Sequence, residues 1–254
     1  MSDFVTMERR GGEQPCPWAL ASLKDLSEEE RAAVAWIVAE AVMRQRCGPV
    51  VKAFAAWRSF KLSGTALSDV GQQWVTAFAE PVFKPSKATE VPQGVPGHVG
   101  EWLWYLLALE SADVPTRVKE YQAVPKDYVI DAGADGLVIY RSNNGTGPEL
   151  LFRLWEMRKY TGGQESISGT VTGAWQQLSK HGTRCVISQV AWADKHVSGD
   201  VGAFVSQLPE LRLTGDVSSG AGVSVATNSS AAPRRAFSTA HTYLTWRTPG
   251  SWRA

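Results

Sequence analysis

The chain has 254 residues, of which 44% are hydrophobic and 20% charged, and its formal net charge is +1. These values belong to a globular chain with a sizeable core. They exclude a strongly basic surface, so a nucleic-acid partner would have to be met by a local patch. Cys16, Cys47 and Cys185 are widely spaced and form no Cys-x-x-Cys pair, which excludes a zinc knuckle or disulfide framework and points to a reduced, cytoplasmic setting.

Residues 1–16 are polar and charged, with no apolar signal segment. Gly11-Gly12, Pro15 and Pro17 make residues 1–26 an irregular lead-in. Ser27 with Glu30 forms a capping box, and Val34, Ile37, Val38, Ala41 and Val42 follow at helical spacing up to Gly48-Pro49. A second helix is expected over 50–60. A third is marked by Leu67, Val70, Trp74, Val75 and Phe78 and stopped by Pro81. Four prolines between 81 and 97 then read as a linker. Residues 1–96 are therefore expected to form a helical annex and linker, and residues 97–254 an α/β core with a C-terminal extension.

A helix from His98 to about Glu110 is apolar nearly all round, with Glu101 placed in its first turn. Its apolar run over 102–109 is well short of the roughly 20 residues that cross a bilayer, so no membrane partner is expected. Strands are expected at 128–131 and 135–140. The turn-rich 141–148 then leads as a hairpin into a strand over 150–160. On that strand Leu150, Phe152, Leu154, Glu156 and Arg158 share one face, while Leu151, Arg153, Trp155, Met157 and Lys159 share the other. A helix marked by Ile167, Val171, Ala174, Trp175 and Leu178 should close near His181-Gly182. It leads into an apolar strand over 184–192, giving a parallel crossover. A short helix over 200–208 and a strand over 223–227 follow. The fold class expected is α/β: a mixed central sheet flanked by helices, with the N-terminal helical annex. The eleven tryptophans sit at helix-face or strand positions, where core packing accounts for them.

In order, the chain offers Glu101 on a helix, Asp135 on a strand, Glu156 on the next strand, a cation two residues on, then a helix and a strand. Glu156 and Arg158 continue an apolar row, a costly place for charge. Two adjacent strands would bring Asp135 and Glu156 together with a positive charge close by. Hydrolysis of a phosphodiester needs charge neutralisation at the phosphate and an activated water, and hard divalent cations held by carboxylates supply both. A neighbouring Lys or Arg holds the water or stabilises the developing charge.

Asp135-Gly-Leu-Val-Ile-Tyr140 followed by Leu154-Trp-Glu-Met-Arg-Lys-Tyr160 resembles the core of the PD-(D/E)xK, or restriction-endonuclease-like, nuclease superfamily over roughly residues 95–195. The resemblance implies that Asp135, Glu156 and the upstream helix acid Glu101 are metal ligands, for Mg²⁺ or Mn²⁺. Gln176 and Gln177 fall where the family often places a supporting polar residue. The motif's lysine would stand at 158, where this chain has Arg158. Lys159 is adjacent but faces the other side of a regular strand, and a bulge would be needed to turn it inward. Arginine stays protonated and cannot act as a base, though it can clamp a phosphate. Asp135, Glu156, Arg158 and Lys159 are thus the candidate catalytic residues. His98-x-x-Glu101, Gly133-x-Asp135-Gly136 and Glu156-x-Arg158 are also similar to nuclease subunits of bacterial antiphage systems, the Hachiman type among them. That similarity implies DNA as substrate and a helicase-like protein partner.

Plainer readings stand beside this one. Asp135-Gly136 is a common turn element, Glu156 with Arg158 can be a buried ion pair, Glu101 a helix-terminal acid, His98 a packing histidine, and Asp131 the end of a strand. The alternative to an enzyme is a non-catalytic nuclease-fold subunit that binds nucleic acid or scaffolds a larger assembly, with Arg158 in place of lysine as its support. Phosphate loops, dinucleotide fingerprints, Gly-x-Ser-x-Gly elbows and zinc-spaced histidines are all missing from the sequence. A glycosidase pair of carboxylates fits the adjacent cations less well than a phosphate does.

Overall fold

The computed structural model describes residues 1–10, 18–23, 26–83, 95–110, 117–125, 135–143, 149–160, 166–193 and 197–227. The lead-in is not irregular: β1 (Thr6–Arg10) pairs antiparallel with β2 (Trp18–Ser22). Helix α1 (Glu28–Cys47) begins at the expected capping box. The Glu30 N–H donates to Ser27 Oγ at 3.2 Å, and the Ser27 N–H to Glu30 Oε2 at 2.8 Å. It ends at Gly48, whose φ of 48° is one that a side chain would resist. Helices α2 (Val51–Ser63) and α3 (Asp69–Phe83) complete the annex around Met43, Cys47, Ala53 and Trp57. Pro81 lies within the last turn of α3 rather than stopping it.

Helix α4 (Val95–Glu110) starts earlier than the sequence implies, so Glu101 stands in its second turn and gains little from the helix N-terminus. Four strands follow in the spatial order β3 (Arg117–Gln122), β4 (Gly136–Ser142), β5 (Leu150–Tyr160), β6 (Ser219–Thr227). The β3–β4 and β4–β5 pairs are antiparallel and the β5–β6 pair is parallel, so the sheet is mixed. Strand β3 was not anticipated, because Val118 and Tyr121 stand three residues apart across a register shift between Lys119 and Tyr121 and show no period of two. The expected strand at 128–131, Asp131 included, lies outside the described residues.

The expected strand at 184–192 is helix. Helix α5 (Ile167–Ala193) runs unbroken through His181-Gly182, and α6 (Gly199–Thr214) completes the crossover to β6. Val171, Ala174, Trp175, Leu178, Gly182, Cys185 and Val186 are all buried at helical spacing, whereas Ile187 and Ser188 face solvent. A strand would have buried alternate residues; the β-branched content of the segment misled, and its period of 3.6 decided. One glycine inside a helix costs about 1 kcal/mol relative to alanine, less than the apolar stripe supplies.

Helices α5 and α6 pack on one face of the sheet, around Leu137, Ile139, Phe152 and Leu154. Helix α4 covers the other face, its Trp104 ring 5.2 Å from that of Trp155. Trp155 in turn lies across β6, where a Cβ built on Gly222 would fall 2.5 Å from the indole. On its far side α4 meets α1 through Val38, Val42 and Trp102. The molecule is thus a mixed α/β fold, a four-stranded mixed sheet flanked by helices, with α4 joining annex to sheet. No helix among the described residues is long and apolar enough to cross a membrane.

Candidate active site

The site lies where β4 begins and β5 nears its end. Gly136 pairs with Trp155, and one further step of that antiparallel register sets residue 135 opposite residue 156. Cross-strand neighbours share a face, so Asp135 and Glu156 lie on the same side, one step beyond the apolar row of Leu137 and Leu154. Asp135 is tied to β5 twice: its N–H donates to Trp155 O at 2.8 Å, and its Oδ2 accepts from the Met157 N–H at 2.7 Å. The glycine that follows is required by packing, since a Cβ on Gly136 would meet the Trp104 ring at 3.0 Å.

Glu156 continues the row of Leu150, Phe152 and Leu154 into the interior and is 2% exposed. Its Oε1 accepts from Arg158 Nη2 at 2.8 Å, and the arginine, two residues on along the same face, is 37% exposed. Glu156 Oε2 and Arg158 Nε are both buried without a hydrogen-bond partner among the described residues. Burial is the chief force that pushes the Glu156 carboxyl up to about 8; the charges of Asp135 and Glu101 push the same way, and Arg158 opposes them without prevailing.

Glu101 reaches this end of the sheet from α4, on the opposite face. It acts on Glu156 through its charge, while its Oε2 stands 3.6 Å from His98 Nδ1. His98 is 2% exposed, and its Nε2 accepts from Trp102 Nε1 at 3.2 Å. Lys159 follows the strand pairing with Ala226 and so belongs to the face opposite Glu156; its side chain lies outside the described residues. On the crossover helix Gln176 is exposed and Gln177 half-buried. Asp135, Glu156 and Arg158 are therefore brought together, and Glu101 is brought within electrostatic reach.

Among the described residues no group of three His, Cys, Asp or Glu side chains stands close enough to hold a metal ion as placed. Each acid has another partner: Asp135 the Met157 amide, Glu156 its arginine, Glu101 the histidine. The donor chemistry nevertheless fits a hard divalent cation, with carboxylate oxygens from two strands, one of them buried and unsatisfied among the described residues. Sequence reasoning missed the pairing of His98 with Trp102 and the stack of Trp104 on Trp155. The spacing of His98, Trp102 and Tyr105 along one helix face was a signal for the first; nothing in the sequence pointed to the second. No family model matches the chain, and no curated protein or solved structure matches it.

Proposed function

We propose that the chain is a divalent-metal-dependent nuclease that hydrolyses phosphodiester bonds in DNA, with a PD-(D/E)xK-like site at the β4–β5 end of the sheet. One observation carries the reading: a carboxylate that is nearly fully buried, opposite a second acid, with one oxygen unpartnered among the described residues. A structural role would favour an apolar residue or a complete set of hydrogen bonds at Glu156. The succession of helix acid, strand acid, strand acid and cation is the order the resemblance calls for, and it supports the same reading, although two helices rather than one lead to the parallel strand.

In this reading Asp135 and Glu156, assisted by Glu101, hold Mg²⁺ or Mn²⁺. The bound cation would neutralise the scissile phosphate and lower the pKa of water. Arg158 takes the motif lysine's position and contributes a permanent positive charge, which binds a phosphate oxygen as Glu156 is drawn away from it. Arg158 cannot remove a proton from water, so the base must lie elsewhere. A net charge of +1 gives no strong field toward DNA, which agrees with a helicase-like partner delivering the substrate and with the role of effector in a bacterial antiphage complex.

The test is cleavage of plasmid and linear DNA with Mg²⁺ or Mn²⁺, for wild type, Glu156→Ala and Arg158→Ala, alone and with any co-purifying partner. Metal-dependent cutting lost in the Glu156 variant is the expected result. A second reading has an observation of its own: the 2.8 Å Glu156–Arg158 pair is what a non-catalytic, nucleic-acid-binding or scaffolding subunit would keep. No cutting and no metal uptake under any condition would establish that one instead.

A further inference from the structure

Residues 41–64 carry Arg44, Arg46, Lys52, Arg58 and Lys61 and no acid, in a chain whose formal net charge is +1. These cations fall on the second half of α1 and along α2, both in the annex. Arg46 is taken up by the fold, since its Nε donates to the Phe78 carbonyl of α3. The other four are exposed. Glu40, one turn back on α1, accepts from Arg44 Nη2 at 3.1 Å and stands 3.3 Å from Arg58 Nε. Lys52 and Lys61 add charge that no acid of residues 41–64 offsets.

We propose that this cationic face of the annex binds the phosphodiester backbone of duplex DNA, without regard to its sequence. The choice of DNA rests on the nuclease reading, and the face supplies locally the field that the net charge of the whole chain does not. Folding accounts for part of the charge. Cations are favoured in the last turn of a helix, where Arg44 and Lys61 stand. Lys52 is different: it lies in the first turn of α2, where a cation opposes the helix dipole, and that turn has no acid to offset it. Arg58 lies in mid-helix, and an exposed ion pair such as its contact with Glu40 contributes little to stability. A face that serves solubility alone would intersperse both signs. The shape fits a polyanion as well. Between Lys52 on one side and Arg58 and Lys61 on the other, α2 presents the short, exposed Ala55 and Ser59, over which a backbone can approach closely. The Arg44 guanidinium lies over the Phe54 ring at 4.6 Å and Lys61 Nζ over the Phe60 ring at 5.4 Å, so both are positioned before a ligand arrives. Arg44 and Arg58 each turn one nitrogen toward Glu40, which leaves the rest of each fork for phosphate oxygens. A lipid surface fits less well, because the exposed Val51 and Leu62 sit at opposite ends of α2 with Ala55, Arg58 and Ser59 between them, and make no apolar stripe.

The test reads binding apart from cutting: fluorescence anisotropy of a short labelled DNA duplex with the full chain, in chelator, over a series of salt concentrations. Phosphate contacts from Arg44, Lys52, Arg58 and Lys61 should make the log of the association constant fall against log salt with a slope of about 3–4. Binding then weakens roughly 100-fold between about 50 and about 200 mM salt. Lys52→Gln, Arg58→Gln and Lys61→Gln should each lower the slope by about 1, and the triple variant should leave a slope of about 1. Thermal unfolding verifies that each variant is folded. A wild-type chain that binds no duplex, or a folded triple variant that binds with the wild-type slope, overturns the surface. So does binding to phosphatidylserine vesicles, but not to the duplex, that requires the same three side chains. Duplex binding that depends on α2, with no cutting under any metal, upholds the surface and removes the nuclease reading. Metal-dependent cutting by a triple variant that also binds like wild type removes the surface and upholds the nuclease.

Discussion

The sheet carries two clusters of the same composition, one arginine with three acids, at opposite ends of the β4–β5 hairpin. At one end Arg141 reaches Glu120, Glu149 and Asp200, tying β3, the start of β5 and α6 together. Every one of those ion pairs is a hydrogen bond, and the arginine holds Asp200 below the usual carboxylate range, chiefly through the bond itself. At the other end Arg158 has one acid in hand, and burial with two neighbouring acids drives Glu156 far the other way. The first cluster has one cation spread over three satisfied acceptors at the surface. The second buries a carboxylate beyond what its cation can compensate. The first arrangement satisfies its charges at the surface, and the second leaves a buried carboxyl displaced upward, the contrast on which the proposed site rests.

Removing the buried acid is the strongest way to break the contrast. Glu156→Gln keeps the shape and removes the charge, and cleavage of linear DNA with Mg²⁺ should fall on the order of 100–1000-fold, the several kcal/mol that metal-held charge neutralisation supplies. Cutting at the wild-type rate by this variant would move the chemistry away from the β4–β5 end.

The same substitution should act on stability in the opposite direction, and with a pH window of its own. The Glu156 carboxyl titrates near 8 in the folded chain against 4.5 as its ordinary value. Between those values the native state holds a proton that the unfolded chain has released. Stability is therefore highest below about pH 4.5 for this group and is lost as pH rises toward 8. Glu156→Gln carries no such penalty. Its unfolding free energy should match wild type at pH 4.5 and exceed it at pH 8, by an amount on the order of a few kcal/mol without divalent metal, with Tm rising accordingly. Curves that run parallel from pH 4.5 to 8 would mean the carboxyl is not displaced.

A smaller effect checks the frame that holds the site. Gly222 sits on β6 under the Trp155 ring, where an added methyl would lie 2.5 Å from indole carbons. Trp155 is wedged against Trp104 and cannot withdraw freely. Gly222→Ala should cost about 1–3 kcal/mol by overpacking, read as a lower denaturation midpoint in urea. Gly64 is the natural control, since a Cβ there meets nothing but its φ of 65° is strained; Gly64→Ala should be destabilised through the backbone alone.

How much of this was legible beforehand follows from which forces act locally. The capping box at Ser27 and Glu30, the β4–β5 hairpin and the alternation that buries Glu156 beside Leu154 are set by residues a few positions apart, and each was readable. The run from 184 to 192 was not, because its β-branched residues favour a strand in isolation and only the stripe extending back to Val171 makes it helix. Strand β3 was missed because its charged residues find partners, such as Glu120 with Arg141, only in the folded sheet. At the site, the choice of acids came from motif order. The unpartnered oxygen of Glu156 among the described residues depends on packing between strands and helices far apart in the chain and had no linear signature.

The smallest effect belongs to the satisfied cluster. Arg141→Gln removes a cation from three exposed or half-exposed acids that can each be solvated in its absence. Exposed ion pairs contribute little and are screened by salt, so Tm should fall slightly at low ionic strength and the difference should shrink as salt is added. Cleavage should be unchanged at every salt concentration once substrate binding is saturated, because none of the four groups lies at the end of the sheet where the buried acid is. A large loss of activity with an unaltered Tm would reverse the assignment, placing the phosphate-binding cation at Arg141 and leaving Arg158 as the structural partner of Glu156.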